Sequence, residues 1–185
     1  MADLKTVTSY SSDERGRGDF VKVSYEPLDN QRAVEFVTHP SAGAISTFIG
    51  TTRDNFQGKK VVRLEYEGYT SMAVAELHKI CVAIREKWPE VVGVALFHRL
   101  GVVKVAEASV IVAVSSPHRQ EALAACSFAI DTLKAMVPIW KSEQYQGDER
   151  MWKENVEWKK GAAGRSACCG SKRVMVPFED EKLSI

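Results

Sequence analysis

Ala108–Trp140 reads ASVIVAVSSPHRQEALAACSFAIDTLKAMVPIW, and its two halves follow different rules. From Ala108 to Ser115 a run of small and β-branched apolar residues predicts a strand. Beyond it Leu123, Cys126, Ile130, Leu133 and Val137 recur at helical spacing, and Pro138 stops the pattern. Ser116 is the expected N-cap, with Pro117 in the first helical position.

Toward the N-terminus, Val91–Leu100 predicts another strand, separated from the first by a turn-like stretch at Gly101–Glu107. Ser71–Trp88 reads as an amphipathic helix with Leu77, Ile80, Cys81, Ile84 and Trp88 on one stripe and Pro89 as its stop. In Val61–Glu67, Val62, Leu64 and Tyr66 alternate with Arg63, Glu65 and Glu67, as a strand requires. Gly43–Thr51 is a buried strand by composition. The polar stretch Arg53–Lys60 between these two strands is long for a tight hairpin, and loops of that kind often carry function. Asp29 can cap a short helix ended by Pro40, and Phe20–Glu26 makes a first strand. Beyond the long helix lie Ile139–Tyr145, a turn at Gly147-Asp148 and an aromatic, charged stretch over Met151–Lys160.

The resulting order β-α-β-β-α-β-β-α has strands in adjacent pairs, which predicts an α+β fold with helices packed on a largely antiparallel sheet. Three regions are expected: a polar N-terminal extension over 1–19, a folded domain over 20–160 and a C-terminal tail over 161–185 without periodicity.

A formal net charge of +1 on 185 residues gives no global field that would favour nucleic acid or an anionic membrane. No apolar run approaches the roughly 20 residues of a membrane span. The N-terminus has no apolar core of a secretory signal, and its acids oppose a mitochondrial presequence, so the cytosol is expected. The cysteines, Cys81, Cys126, Cys168 and Cys169, lack Cys-x-x-Cys spacing, so they read as reduced thiols and not as metal ligands. No cofactor motif is visible, and neither a metal nor a cofactor is expected.

Chemistry concentrates at the two ends of the long helix. His118 and Arg119 stand at its start, where the helix dipole already supplies positive charge; the arrangement makes sense if an anion binds there. Arg119 falls on the centreline of the apolar stripe, and a buried arginine needs a partner. At the other end Lys134 lies at the stripe's edge, and Lys141 follows Pro138, Ile139 and Trp140. Two ammonium groups held near apolar surface can act as proton donor, nucleophile or oxyanion partner. Snorkelling surface lysines are the plainer alternative. Arg53 ends a strand where the polar loop opens, and His98 reads as a hydrogen-bonded structural histidine.

Several segments, in order, resemble one family. They are Gly43-Ala44-Ile45 through Thr51-Thr52-Arg53, Leu64-Glu65-Tyr66-Glu67 with Tyr69, and Phe97-His98-Arg99-Leu100-Gly101. Val114-Ser115-Ser116-Pro117-His118-Arg119, Ile130-Asp131-Thr132-Leu133-Lys134, Val137-Pro138-Ile139-Trp140-Lys141-Ser142-Glu143 and Trp152-Lys153-Glu154-Asn155 follow. From about Phe20 to Trp158 the chain is similar to the large, catalytic subunit of molybdopterin synthase, the MoaE family. The resemblance implies an α/β-hammerhead fold and a sulfurtransferase. In that family a ubiquitin-like small subunit ending in a Gly-Gly thiocarboxylate delivers two sulfurs to cyclic pyranopterin monophosphate, giving the dithiolene of molybdopterin. By position Lys134 and Lys141 match the family's essential lysines. Arg53, His118 and Arg119 match substrate-binding residues, with Ser142 and Glu143 at further substrate-contact positions. Ser142 stands where relatives often carry a base, and the tail after Trp158 matches nothing in the family.

One deduction adds to this. Arg119 and Lys134 are separated along one helix by about 22 Å, so both can touch one small pterin only if the helix breaks or two copies of the chain meet. A symmetric dimer of the chain resolves this, and with the small subunit that the resemblance implies at each end a heterotetramer around that central homodimer is expected. The competing readings are a non-catalytic module that captures the C-terminus of a ubiquitin-like partner and an RNA-binding α+β domain. The near-zero net charge and the lack of a ribonucleoprotein signature weigh against the latter.

Overall fold

The computed structural model describes residues 6–12, 16–147 and 150–153. The expected tail over 161–185, Cys168 and Cys169 lie outside them, as does most of the aromatic, charged stretch.

The architecture is α+β and almost wholly antiparallel. One sheet has the order β1-β2-β6-β8-β3, built from Val7–Ser12, Gly18–Ser24, Gly93–Arg99, Ala108–Ser116 and Ala44–Thr51. Its one parallel pairing joins β2 to β6, with Gly18 opposite Gly93. The second sheet runs β10-β9-β5-β4, from Arg150–Lys153, Ile139–Tyr145, Lys59–Gly68 and Asn55–Phe56, and β7 (Gly101–Lys104) also pairs with β5. Helices α1 (Asn30–Val37), α2 (Thr70–Lys87) and α3 (Arg119–Met136) cover the first sheet. The main core lies under α2 and α3, where Leu77, Ile80 and Ile84 meet Val94, Leu96, Val112 and Leu133. A smaller core under α1 uses the other face, through Phe20, Phe97 and Ile111. Residues on β6 and β8 alternate between the two cores, so β6 is buried at every position and β8 at all but its first.

Asp29 caps α1 as expected, accepting from the backbone N–H groups of Gln31 and Arg32. Four local expectations are corrected. Val7–Ser12, within the stretch read as an extension, forms β1 and pairs with β2. The polar loop is a tight hairpin after all: β4 turns into β5 through Gln57 and Gly58, both at positive φ (50° and 79°), the geometry of a two-residue type I′ turn. Gly101–Glu107 is partly strand, since Gly101 at φ +74° redirects the chain so that Gly101–Lys104 can join the second sheet. Finally, α3 begins at Arg119; Ser116 belongs to β8 and is buried there, and His118 takes the N-cap position without a side-chain cap bond.

The buried face of the helix also differs from the expected one. Its buried positions are Ala122, Ala125, Cys126, Ala129, Ile130 and Leu133, small in the first half so that α3 lies close on the sheet there. Leu123 is 60% exposed, and Arg119 stands in solvent in the single chain instead of on the buried centreline. The sequence pattern took Leu123 as core because size, not neighbours, was all it could weigh.

Candidate functional site

The two sheets and the end of α3 enclose a cavity of about 440 Å³. Its walls are apolar and aromatic: Phe48 on β3, Leu64 and Tyr66 on β5, Ile130 and Leu133 on α3, Trp140 on β9. Four cavity residues carry charge that sequence reasoning had singled out, Arg53, Lys134, Lys141 and Glu143.

Each is placed by local structure. Thr52 is buried and its backbone is fixed at both ends, its N–H donating to Glu107 O (3.1 Å) and its carbonyl accepting from Ala106 N (2.9 Å). Arg53 therefore leaves the sheet at a fixed point beside the cavity. Lys134 sits in the last turn of α3, where a cation suits the helix dipole. Val137 N–H caps Leu133 O, and Pro138 then forces the change from helix to strand. On β9, Lys141 and Glu143 share a face, and their charged groups are 3.3 Å apart. Glu143 is only 4% exposed, and the Tyr145 hydroxyl donates to its other oxygen. Lys141 is thus anchored at its carboxylate partner, its ammonium held at the cavity wall instead of sweeping through solvent.

Ser142 does not join them. It lies on the opposite face of β9, buried at 1% exposure, because strand residues alternate. His118 and Arg119 are not in the cavity either; both are exposed at the far end of α3.

The cavity floor holds residues that sequence reasoning did not assign to it. His98 is buried, donates through Nδ1 to Arg99 O at 2.8 Å, and stacks edge-on against Tyr66 with 5.2 Å between ring centres. The hydrogen-bonded character expected of it is present, but its ring also lines the cavity. Burial pushes its pKa down to about 4, against a smaller raising effect of the bond to Arg99. Burial likewise raises the Tyr66 hydroxyl, which donates to Ser109 Oγ (3.2 Å), whose own proton goes to Gly50 O (3.2 Å). The available signal was a histidine and a tyrosine on the inward side of otherwise apolar strands.

Among the described residues no group of His, Cys, Asp and Glu could hold a metal ion, and no helix is long and apolar enough to cross a membrane. Chemically, the cavity offers fixed cations and hydrogen-bond acceptors over walls suited to a flat heterocycle.

The comparisons agree with one another. A molybdopterin synthase catalytic subunit of Taeniopygia guttata is 59% identical over 139 residues, covering 75% of this chain and 89% of that protein. Some relatives are longer: the chain spans 38% of the Drosophila erecta protein. The crystal structure of molybdopterin synthase from Staphylococcus aureus superposes with a TM-score of 0.68 at 37% identity, over 71% of this chain and 94% of that one. A complex of subunits 1 and 2 of molybdopterin-converting factor from Helicobacter pylori gives 0.61 at 21% identity, over 74% and 91%, which shows the shared fold. The description MoaE protein fits residues 23–136, more than half the sequence, and the chain belongs to the MoaE family.

Proposed function

We propose that the chain is the catalytic subunit of a molybdopterin synthase and transfers two sulfurs from the C-terminal thiocarboxylate of a ubiquitin-like small subunit to cyclic pyranopterin monophosphate. The observation that carries this reading is the convergence of Lys134, Lys141 and Arg53 on one aromatic-walled cavity. Each transfer needs a polarised thiocarboxylate carbonyl, a stabilised tetrahedral oxyanion and a proton. Lys134, against the apolar wall, is the group for the partner's terminal glycine. Lys141, fixed by Glu143, orients the pterin or passes the proton.

His118 and Arg119 serve the same site from a second copy. Strand β3 ends its sheet, so its outer edge has no strand partner among the described residues, and Ile45 and Ile49 stand 39% and 40% exposed on it. α3 and β3 begin together, Gly43 N–H donating to Ser116 O at 3.1 Å, and they end together at Thr51, Arg53 and Lys134 around the cavity. A two-fold axis across the β3 edge therefore sets the start of one α3 beside the end of the other. The partner's His118 and Arg119 then hold the substrate phosphate next to Lys134 and Arg53. Ser142, facing away, contributes through the strand and not by direct contact. One small subunit at each end of this dimer completes a heterotetramer.

The test is incubation with thiocarboxylated small subunit and cyclic pyranopterin monophosphate, reading out dithiolene formation. Product is expected with the native chain. No product, with both ligands shown to bind, would favour the alternative of a module that only captures the partner's C-terminus.

A further inference from the structure

The cations of the cavity, Arg53, Lys134 and Lys141, suit an anionic group, and its floor adds the uncharged polar groups of His98, Tyr66 and Ser109, Tyr66 standing directly across the strand pair from Lys141. His98 is the floor residue with an unused polar atom. Because a carbonyl oxygen can only accept, the 2.8 Å contact with Arg99 O puts the ring proton on Nδ1. Nε2 is left as a lone pair on a ring that lines the cavity, and no hydrogen bond to it is made among the described residues. The ring cannot turn to offer something else: Tyr66 packs edge-on against it, and the residue is 5% exposed. Tyr66 and Ser109 spend their protons on each other and on Gly50 O, so the floor offers acceptors and not donors.

We infer that His98, through Nε2, is a specificity-determining residue that accepts a hydrogen bond from an N–H group on the neutral edge of the heterocyclic substrate. This rests on the proposed function, because it takes the cavity's ligand to be a phosphorylated pterin, whose aminopyrimidinone edge carries such N–H donors. A site that pairs with N–H rejects an analogue presenting a bare acceptor there, since two lone pairs would then face each other without solvent. Burial keeps Nε2 unprotonated at neutral pH, so the acceptor is permanent.

The experiment uses the full chain with histidine ¹⁵N-labelled, together with small subunit ending in an ordinary carboxylate so that no turnover occurs. Long-range ¹H–¹⁵N spectra follow the His98 Nε2 resonance on titration with cyclic pyranopterin monophosphate and, separately and without the small subunit, with a peptide ending in Gly-Gly. The expected result is a shift of Nε2 with the pterin and none with the peptide. A pterin that saturates the protein while Nε2 stays unmoved overturns this inference and leaves the proposed function standing. A pterin that does not bind removes both. A shift with the peptide alone also overturns it, assigning the floor to the partner's tail. Variants add an independent reading: His98→Gln, whose amide oxygen can stand near the Nε2 position, should keep KM within about threefold, whereas His98→Leu should raise KM at least tenfold, each with an intact fold by circular dichroism. Equal KM values for Gln and Leu would also refute the assignment.

Discussion

A lysine ammonium and a carboxylate 3.3 Å apart are ordinary on a protein surface, but Glu143 is almost fully buried, so breaking its pair with Lys141 has consequences on both sides. Glu143→Gln should leave Lys141 less well placed and lower kcat more than small-subunit affinity, as single-turnover assays beside binding titrations will report. Lys134→Ala should cost about 10²–10³ in rate, the usual loss for a preorganised charge at the reacting group, with small-subunit binding kept. Dithiolene formation close to the native rate in that variant would end the catalytic reading. His98 gives a stability prediction whose sign is fixed by burial. Its folded pKa of about 4 lies below the ordinary value of 6.5, so the unfolded chain takes up the proton first on acidification. Its contribution is whole above pH 6.5 and declines toward pH 4, by roughly 3 kcal/mol at most. Thermal unfolding of native and His98→Gln proteins across that window should show the native protein losing more. At this scale the sequence was legible where a residue broke a pattern, as Lys134 and Arg53 do. It was illegible for His98 and Tyr66, because facing a cavity and facing a core look alike along a strand.

Elements were legible in proportion to how far local forces decide them. The helix α2 and the strands β6 and β8 have long, unambiguous patterns and lie where expected. The two-residue hairpin of β4 and β5 was missed because its turn is Gln57-Gly58, and glutamine gives no hint of a left-handed backbone. Gly58→Ala should destabilise the chain by about 1 kcal/mol through its positive φ, even though space around it is open. Gly43 has the opposite problem: a Cβ there would lie 2.4 Å from Pro117 O. Since that contact joins the start of β3 to the strand-to-helix junction, Gly43→Ala should cost about 1–3 kcal/mol as overpacking, measured as a lowered denaturation midpoint. The register of α3 was misread at its first turn, since a Ser-Pro pair signals a helix start equally well when the serine still belongs to a strand.

For the whole molecule, the decisive question is whether one chain contains a complete site. The sequence already showed the difficulty in the spacing of Arg119 and Lys134; where copies could meet was not legible, because an unpaired strand edge exists only once the sheet order is known. If partners exchange these residues, two inactive proteins should rescue each other. Arg119→Ala and Lys134→Ala chains, unfolded and refolded together, should recover about one quarter of native activity, because half the dimers are mixed and each mixed dimer holds one intact site. No recovery in mixed dimers verified by mass would place both residues in one chain's site. The parallel pairing of β2 with β6 carries a different implication, for synthesis. Gly18 emerges from the ribosome early, yet its neighbour in the sheet is Gly93, and β3 waits nearly as long for β8. Two of the first sheet's four strand pairings are thus remote in the chain, which sets folding on the slow side, milliseconds to seconds. Until β8 appears, the nascent chain holds β3 without its strand partner, so chaperone demand during translation should peak before that strand is made and fall once it is.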